Sequence, residues 1–323
     1  MTALLRQNQG NIRLNPQWNE WISHLLWNIH SPKEEFIRPP KTSDFPSFFY
    51  ESMDSTLHPI FYVHRNSLCN NGSIILLTGS IFHPKICLNE ETPILRKLRN
   101  KGYNIYIISH RGHQRSSLSE YSDGSLDGIA REDLSSALRE IKSHSNEDSF
   151  HWMGQGLGGI LCLFWLAQSG WDSVESISLY NTPVCFPNSK LSYVHSFSKY
   201  IRRSISLQKL FQLKLACAKH WNLSTKERSW LFHSKTEFSL DLLNQILSWS
   251  KEGTLLSNDA SIQILDAIPE SPVPFAIVST NSSLYGGHVC SYPLSLVKNS
   301  TWIEVESGMH FPLFSSGILP SHF

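Results

Sequence analysis

Apolar residues recur along this chain in two rhythms. Short, nearly continuous apolar runs appear as IFYVHR (60–65), SIILLTG (73–79), YNIYIIS (103–109), SFHWMG (149–154), VESISLYNTP (174–183), PFAIVST (274–280) and TWIEVES (301–307). Runs of this length and density suit strands buried on both faces of a sheet. Between them lie segments with helical spacing: ETPILRKLRNKG (91–102) with a glycine stop, SLDGIAREDLSSALREIKSH (125–144) and LGGILCLFWLAQSG (157–170). Strand–helix alternation of this kind predicts an α/β fold with a mostly parallel central sheet and flanking helices.

The rhythm changes at both ends of this region. Residues 184–265 are helical in pattern, rich in Lys, Leu and Trp, and are expected to form an inserted helical cap. Residues 46–183 and 266–323 then make the core. Residues 1–45 form a polar and aromatic N-terminal extension. Within it, WNEWISHLLWNI places Trp18, Trp21, Ile22, Leu25, Leu26 and Ile29 on one helix face, as for a helix that packs on a larger domain or meets a partner or membrane.

Composition narrows the possibilities. The 323 residues are 41% hydrophobic with a formal net charge of +1. Such a balance points to neither nucleic acid nor an anionic membrane surface as partner. The six cysteines, Cys69, Cys87, Cys162, Cys185, Cys217 and Cys290, form no C-x-x-C pair, so a reducing, cytoplasmic setting is expected. No secretory leader is evident at the N-terminus, and no run approaches the ~18 apolar residues of a spanning helix. The pattern calls for no cofactor and no metal.

The chemistry concentrates in HWMGQGLGG (151–159), where a strand enters a glycine-rich turn followed by an apolar helix. In G-x-S-x-G turns the bend is so tight that its flanks need glycine, and the central side chain stands alone as nucleophile. Gly154 and Gly158 occupy the flanks here. Strand, turn and helix together resemble the α/β-hydrolase superfamily, in particular its esterase- and lipase-like members. Five further segments carry the resemblance in the same order. LLTGS (76–80) is similar to the oxyanion turn and SHRGHQRS (109–116) to the segment after the next strand. LDGIAREDLSSALREI (126–141) is similar to the helix before the elbow, SLYNTP (178–183) to the strand end leading into the cap, and GMHFPLF (308–314) to the loop carrying the catalytic histidine.

The resemblance implies a Ser–His–acid site, and the side chains depart from it. Gly156 stands at the nucleophile position and Gln155 before it. The acid position is Ser282 (or Asn281), and the alternative place for an acid, after the strand ending SLYNTP, holds Asn181. Only His310 matches. The triad mechanism needs an oxygen nucleophile, a base and a group that fixes the base. Loss of the nucleophile alone costs on the order of 10⁶ in turnover in a comparable triad. A ligand- or partner-binding pseudoenzyme is therefore expected, with Ser80 and Leu157 offering oxyanion-hole amides, Gln155 a polar contact, and a small apolar or ester-like molecule as ligand. Two alternatives are a carboxylic-ester hydrolase with a displaced nucleophile (Ser80, Ser279, Ser282 or Cys162) and an enzyme using His310 alone as base, oriented by Glu304 or Glu306. Arg111, in HRGH, is expected to anchor its loop internally.

Overall fold

In the computed structural model the described residues are 47–53, 55–78, 84, 87–88, 92–111, 124–185, 240–280, 291–305 and 318–323. The chain divides into two units, Met1–Arg38 and Pro39–Phe323, and all described residues belong to the second. The helix expected over 18–29 and residues 186–239 of the expected cap lie outside them.

Eight strands form one sheet: β1 (Ser47–Glu51), β2 (Leu57–Val63), β3 (Ser73–Leu77), β4 (Asn104–Ile108), β5 (Phe150–Gln155), β6 (Val174–Tyr180), β7 (Glu270–Thr280) and β8 (Lys298–Val305). Their spatial order is β1-β2-β4-β3-β5-β6-β7-β8. β2 runs antiparallel to both neighbours, and every pairing from β4 across to β8 is parallel. Parallel neighbours need crossovers, which bury both sheet faces. Accordingly every residue of β3 and β4 is buried, which is why their sequences read as unbroken apolar runs.

The helices are α1 (Pro93–Asn100), α2 (Leu126–Ile129), α3 (Ser135–Ser145), α4 (Leu157–Ser169), α5 (Leu240–Glu252) and α6 (Ile264–Ala267). One sheet face packs Ile74, Leu76, Ile105, Ile107 and Met153 with Ile94, Leu95 and Leu98 of α1. The other face packs Ile75, Leu77, Trp152, Ile177 and Ile277 with α3 and α4. α4 is buried continuously from Leu157 to Leu166, as a helix apolar all round must be. Trp165 stacks on Trp152 of β5 at 4.4 Å, and Phe164 on Trp249 of α5 at 5.9 Å.

The helix expected over 125–144 is interrupted. Ser125 caps it by accepting from the Gly128 N–H at 3.1 Å, but Ala130–Leu134 form a π-turn between α2 and α3. Both acidic residues of that turn reach one guanidinium. Arg111 Nε donates to Asp133 Oδ1 at 2.9 Å, and an Arg111 terminal amine donates to Glu132 Oε2 at 2.7 Å. The Arg111 backbone N–H adds a bond to Asp133 Oδ2 at 2.9 Å. Arg111 thus anchors its loop internally, as its sequence context predicts. Burial pulls its guanidinium pKa down, but Asp133 and Glu132 more than offset that and hold it above the ordinary value.

α5 is tied to the core through a second buried acid. Asp127 accepts from Gln245 Nε2 and from the Asn258 N–H at 3.1 Å, while Gln245 Oε1 accepts from the Leu126 N–H at 2.8 Å.

β1 is absent from the sequence reading. Its inward residues Phe48 and Tyr50 pack on the core while Phe49 faces solvent. FFY carries no alternation that a pattern could register.

Candidate active-site crevice

β5 delivers the chain to Gly156, and α4 starts immediately after it. Gly156 has φ 56° and ψ −118°. That positive φ, in a combination costly for any residue with a Cβ, is the bend a nucleophile elbow imposes. Its N–H donates to the Tyr180 carbonyl at 2.9 Å, and its own carbonyl accepts from Gly159 at 3.0 Å and Ile160 at 3.2 Å. The elbow is therefore pinned to the end of β6 on one side and to the first turn of α4 on the other.

Gly154 and Gly159 are required sterically. A Cβ on Gly154 would lie 2.6 Å from the Gly159 Cα, and one on Gly159 would lie 1.9 Å from Thr182 Oγ1. Strand, helix and the chain beyond β6 approach more closely than any side chain permits. Gly156 itself, at the bend, carries no side chain.

Parallel register brings the other strand ends alongside. Leu77 of β3 pairs with Gly154, and Gln155 of β5 with Tyr180 of β6. Thr78, Gln155, Asn181 and Thr182 are all buried around the elbow's base. The amides of Leu157 and Gly158 open the first turn of α4. As orphan donors of a helix N-terminus they favour an anionic or carbonyl oxygen.

Asn181 follows β6 at one of the two places considered for an acid. It adopts φ 44°, a left-handed conformation that Asn tolerates better than most residues. Its Nδ2 donates to Thr280 Oγ1 at 2.9 Å, and its Oδ1 accepts from the Thr280 N–H at 2.8 Å. The amide serves as a clamp between the ends of β6 and β7.

Of the predicted site residues, Gln155, Gly156 and Leu157 come together at the β5–α4 junction. Ser80, Ser282 and His310 lie outside the described residues, as do Asn281 and Glu306. The displaced-nucleophile reading loses Cys162. That thiol is fully buried in α4, and burial pushes its pKa far above the usual thiol value, so it is a core residue. Ser279 is likewise buried within β7.

Sequence reasoning missed a different polar line at the opposite end of β5. His151 Nδ1 lies 2.8 Å from Ser176 Oγ, and its Nε2 lies 3.2 Å from Glu175 Oε2. Ser176 is buried beside β5, and the ring of Phe323 sits 5.3 Å from that of His151. Five residues of strand, about 16 Å at the usual rise, separate His151 from Gly156. The line belongs to the packing of the sheet floor. No sequence pattern identifies it, because Ser176 meets His151 only through the β5–β6 register.

Residues 77–314 match the α/β hydrolase fold family. The chain belongs to that family. No curated protein matches the sequence. Solved α/β hydrolases share the architecture at low identity. An esterase from Exiguobacterium antarcticum is 15% identical with a TM-score of 0.53, over 81% of this chain and 91% of that one. A thermophilic esterase from Thermogutta terrifontis is 10% identical with a TM-score of 0.57, over 84% and 93%. A lipase-esterase related protein from Clostridium acetobutylicum is 16% identical with a TM-score of 0.56, over 80% and 95%. At such identities the likeness establishes the α/β hydrolase fold and leaves the chemistry to this chain's own side chains.

Proposed function

We propose that this α/β hydrolase is a pseudoenzyme: it has no serine-esterase turnover and uses its former catalytic crevice to bind a small apolar or ester-like molecule, beneath a cap formed by residues 184–265. One observation carries the reading. Gly156 holds the elbow conformation, φ 56° and ψ −118°, with no atom to attack a carbonyl. Asn181 supports it, because its amide is engaged with Thr280 at both ends and supplies no carboxylate. Without nucleophile and acid, oxyanion stabilisation and binding leave only about 10³–10⁴ over water. What remains useful is binding: the α4 N-terminus at Leu157 for a carbonyl or carboxylate oxygen, with Gln155 beside it, and Ser80 and His310 as the further polar residues that the sequence motifs assign to the pocket.

The test is active-site labelling. A fluorophosphonate probe is expected to leave the wild-type protein unmodified and to label Gly156→Ser only slowly, because that substitution supplies a hydroxyl at the elbow but not the missing acid. Stoichiometric labelling of the wild type would overturn the proposal.

A further inference from the structure

The loop between β2 and β3 is stitched onto the C-terminal end of α1. Asn66 N–H donates to the Arg99 carbonyl at 3.1 Å, and Asn71 N–H to the Gly102 carbonyl at 3.2 Å. Arg99 returns two bonds, Nε to the His64 carbonyl at 2.8 Å and a terminal amine to Asn66 Oδ1 at 2.6 Å. Asn71 Nδ2 donates to the Lys101 carbonyl at 2.5 Å, and Arg65 braces the loop through Asn70 Oδ1 at 2.9 Å. The contact at Gly102 is so close that a Cβ there would lie 2.5 Å from the Cys69 carbonyl oxygen.

A loop held this firmly presents Leu68 wholly to solvent. Around it the surface is cationic. Arg65, Arg99 and Lys101 belong to the stitched region, and Arg96 and Lys97 are exposed one turn earlier on α1. α1 has no acid in its first turn. Among the described residues, Arg65, Arg96 and Arg99 have no carboxylate within ion-pair distance, whereas Lys101 Nζ donates to the terminal Phe323 oxygen at 2.8 Å. Glu147, felt at Tyr62, and Glu175, near Gly72, border the loop on the strand side. The chain's net charge of +1 conceals this concentration, which is why composition alone excluded an anionic surface.

We infer that this Leu68-tipped basic patch docks the protein peripherally on an anionic lipid bilayer, with Leu68 entering the interface and the α1 cations facing the headgroups. A flat layer of negative charge over an apolar interior matches both halves of the patch: lysines and arginines gain in the negative surface potential, and one apolar side chain gains by leaving water. An acidic protein would satisfy the cations alone.

Co-sedimentation with vesicles tests this on the full chain. The wild type is expected to pellet with equimolar phosphatidylcholine–phosphatidylglycerol vesicles at low salt, to release at high salt, and to ignore pure phosphatidylcholine. The double variant Arg96→Gln/Lys97→Gln should weaken binding by about tenfold or more, since each cation near such a surface acts independently and substantially. Leu68→Ser should weaken vesicle binding severalfold while leaving any binding of soluble polyglutamate unchanged. All three substituted side chains are exposed, so unchanged melting temperatures serve as the folding control. Equal binding to both vesicle types, absence of binding at low salt, or indifference to the cation variant would overturn the proposal. Indifference to Leu68→Ser would also overturn it and would point to an acidic macromolecule.

Discussion

Asn181 and Thr280 hold each other across the ends of β6 and β7, the Asn amide donating to the Thr hydroxyl at 2.9 Å and accepting from the Thr N–H at 2.8 Å. Both residues are buried. Asn181→Ala removes both of these hydrogen bonds from the buried Thr280, a loss of about 1–3 kcal/mol. Ala at φ 44° adds strain. Urea denaturation should show the lower midpoint, and an unchanged midpoint would mean the clamp contributes nothing.

The elbow itself should be more stable without a side chain. At φ 56° and ψ −118°, any Cβ costs roughly 1–3 kcal/mol. Gly156→Ala and Gly156→Ser are expected to destabilise by the same amount, because backbone conformation sets the loss and the hydroxyl does not. A thermal melt in which Ser is neutral and Ala is costly would contradict this.

Asp133 is fully buried and paired with Arg111. Asp133→Ala removes the fully buried partner and leaves the guanidinium paired with the more exposed Glu132, a loss of about 3 kcal/mol. Far-UV circular dichroism during urea titration reads the change. Replacing the more exposed Glu132 should cost distinctly less, because Asp133 alone can keep the charge paired.

The buried histidines set an acid limit. Burial holds His110 down to about 4, against the opposing pull of Asp133, from an ordinary value of 6.5. His322 is lowered to about 4, and His151 is also lowered, in both cases chiefly by burial. Between pH 6.5 and about 4 the unfolded chain therefore binds protons that the folded chain does not. Stability is complete above pH 6.5, falls as pH drops through that window, and stops changing on this account below 4. His110 alone contributes on the order of 3 kcal/mol to the fall. Unfolding free energies at pH 7, 5.5 and 4.5 should show the slope, and His110→Asn should flatten it by up to one proton.

Much of this architecture is legible in the chain. Strands β3 and β4 announce themselves because parallel central strands bury every residue, and the Gly154–Gly159 run betrays the elbow because close approach admits nothing larger. The π-turn at Ala130–Leu134 is not legible. Its two acids meet Arg111, which lies outside the helix and comes close only once β4 is in place. The pairing of His151 with Ser176 is hidden for the same reason, since register decides it. β1 escapes because an edge strand with one exposed face and the composition FFY lacks a periodic signal. Local spacing encodes what neighbouring residues impose on one another, and polar networks closed by tertiary contact leave no such trace.

The most direct measurement of the central claim is steady-state hydrolysis of p-nitrophenyl esters of several chain lengths by the wild-type protein beside His310→Ala. The account predicts no nucleophile-dependent turnover, so that any weak residual rate is the same in both. Turnover in the wild type that disappears in His310→Ala would contradict it, because a working base would then be activating a nucleophile that Gly156 does not supply.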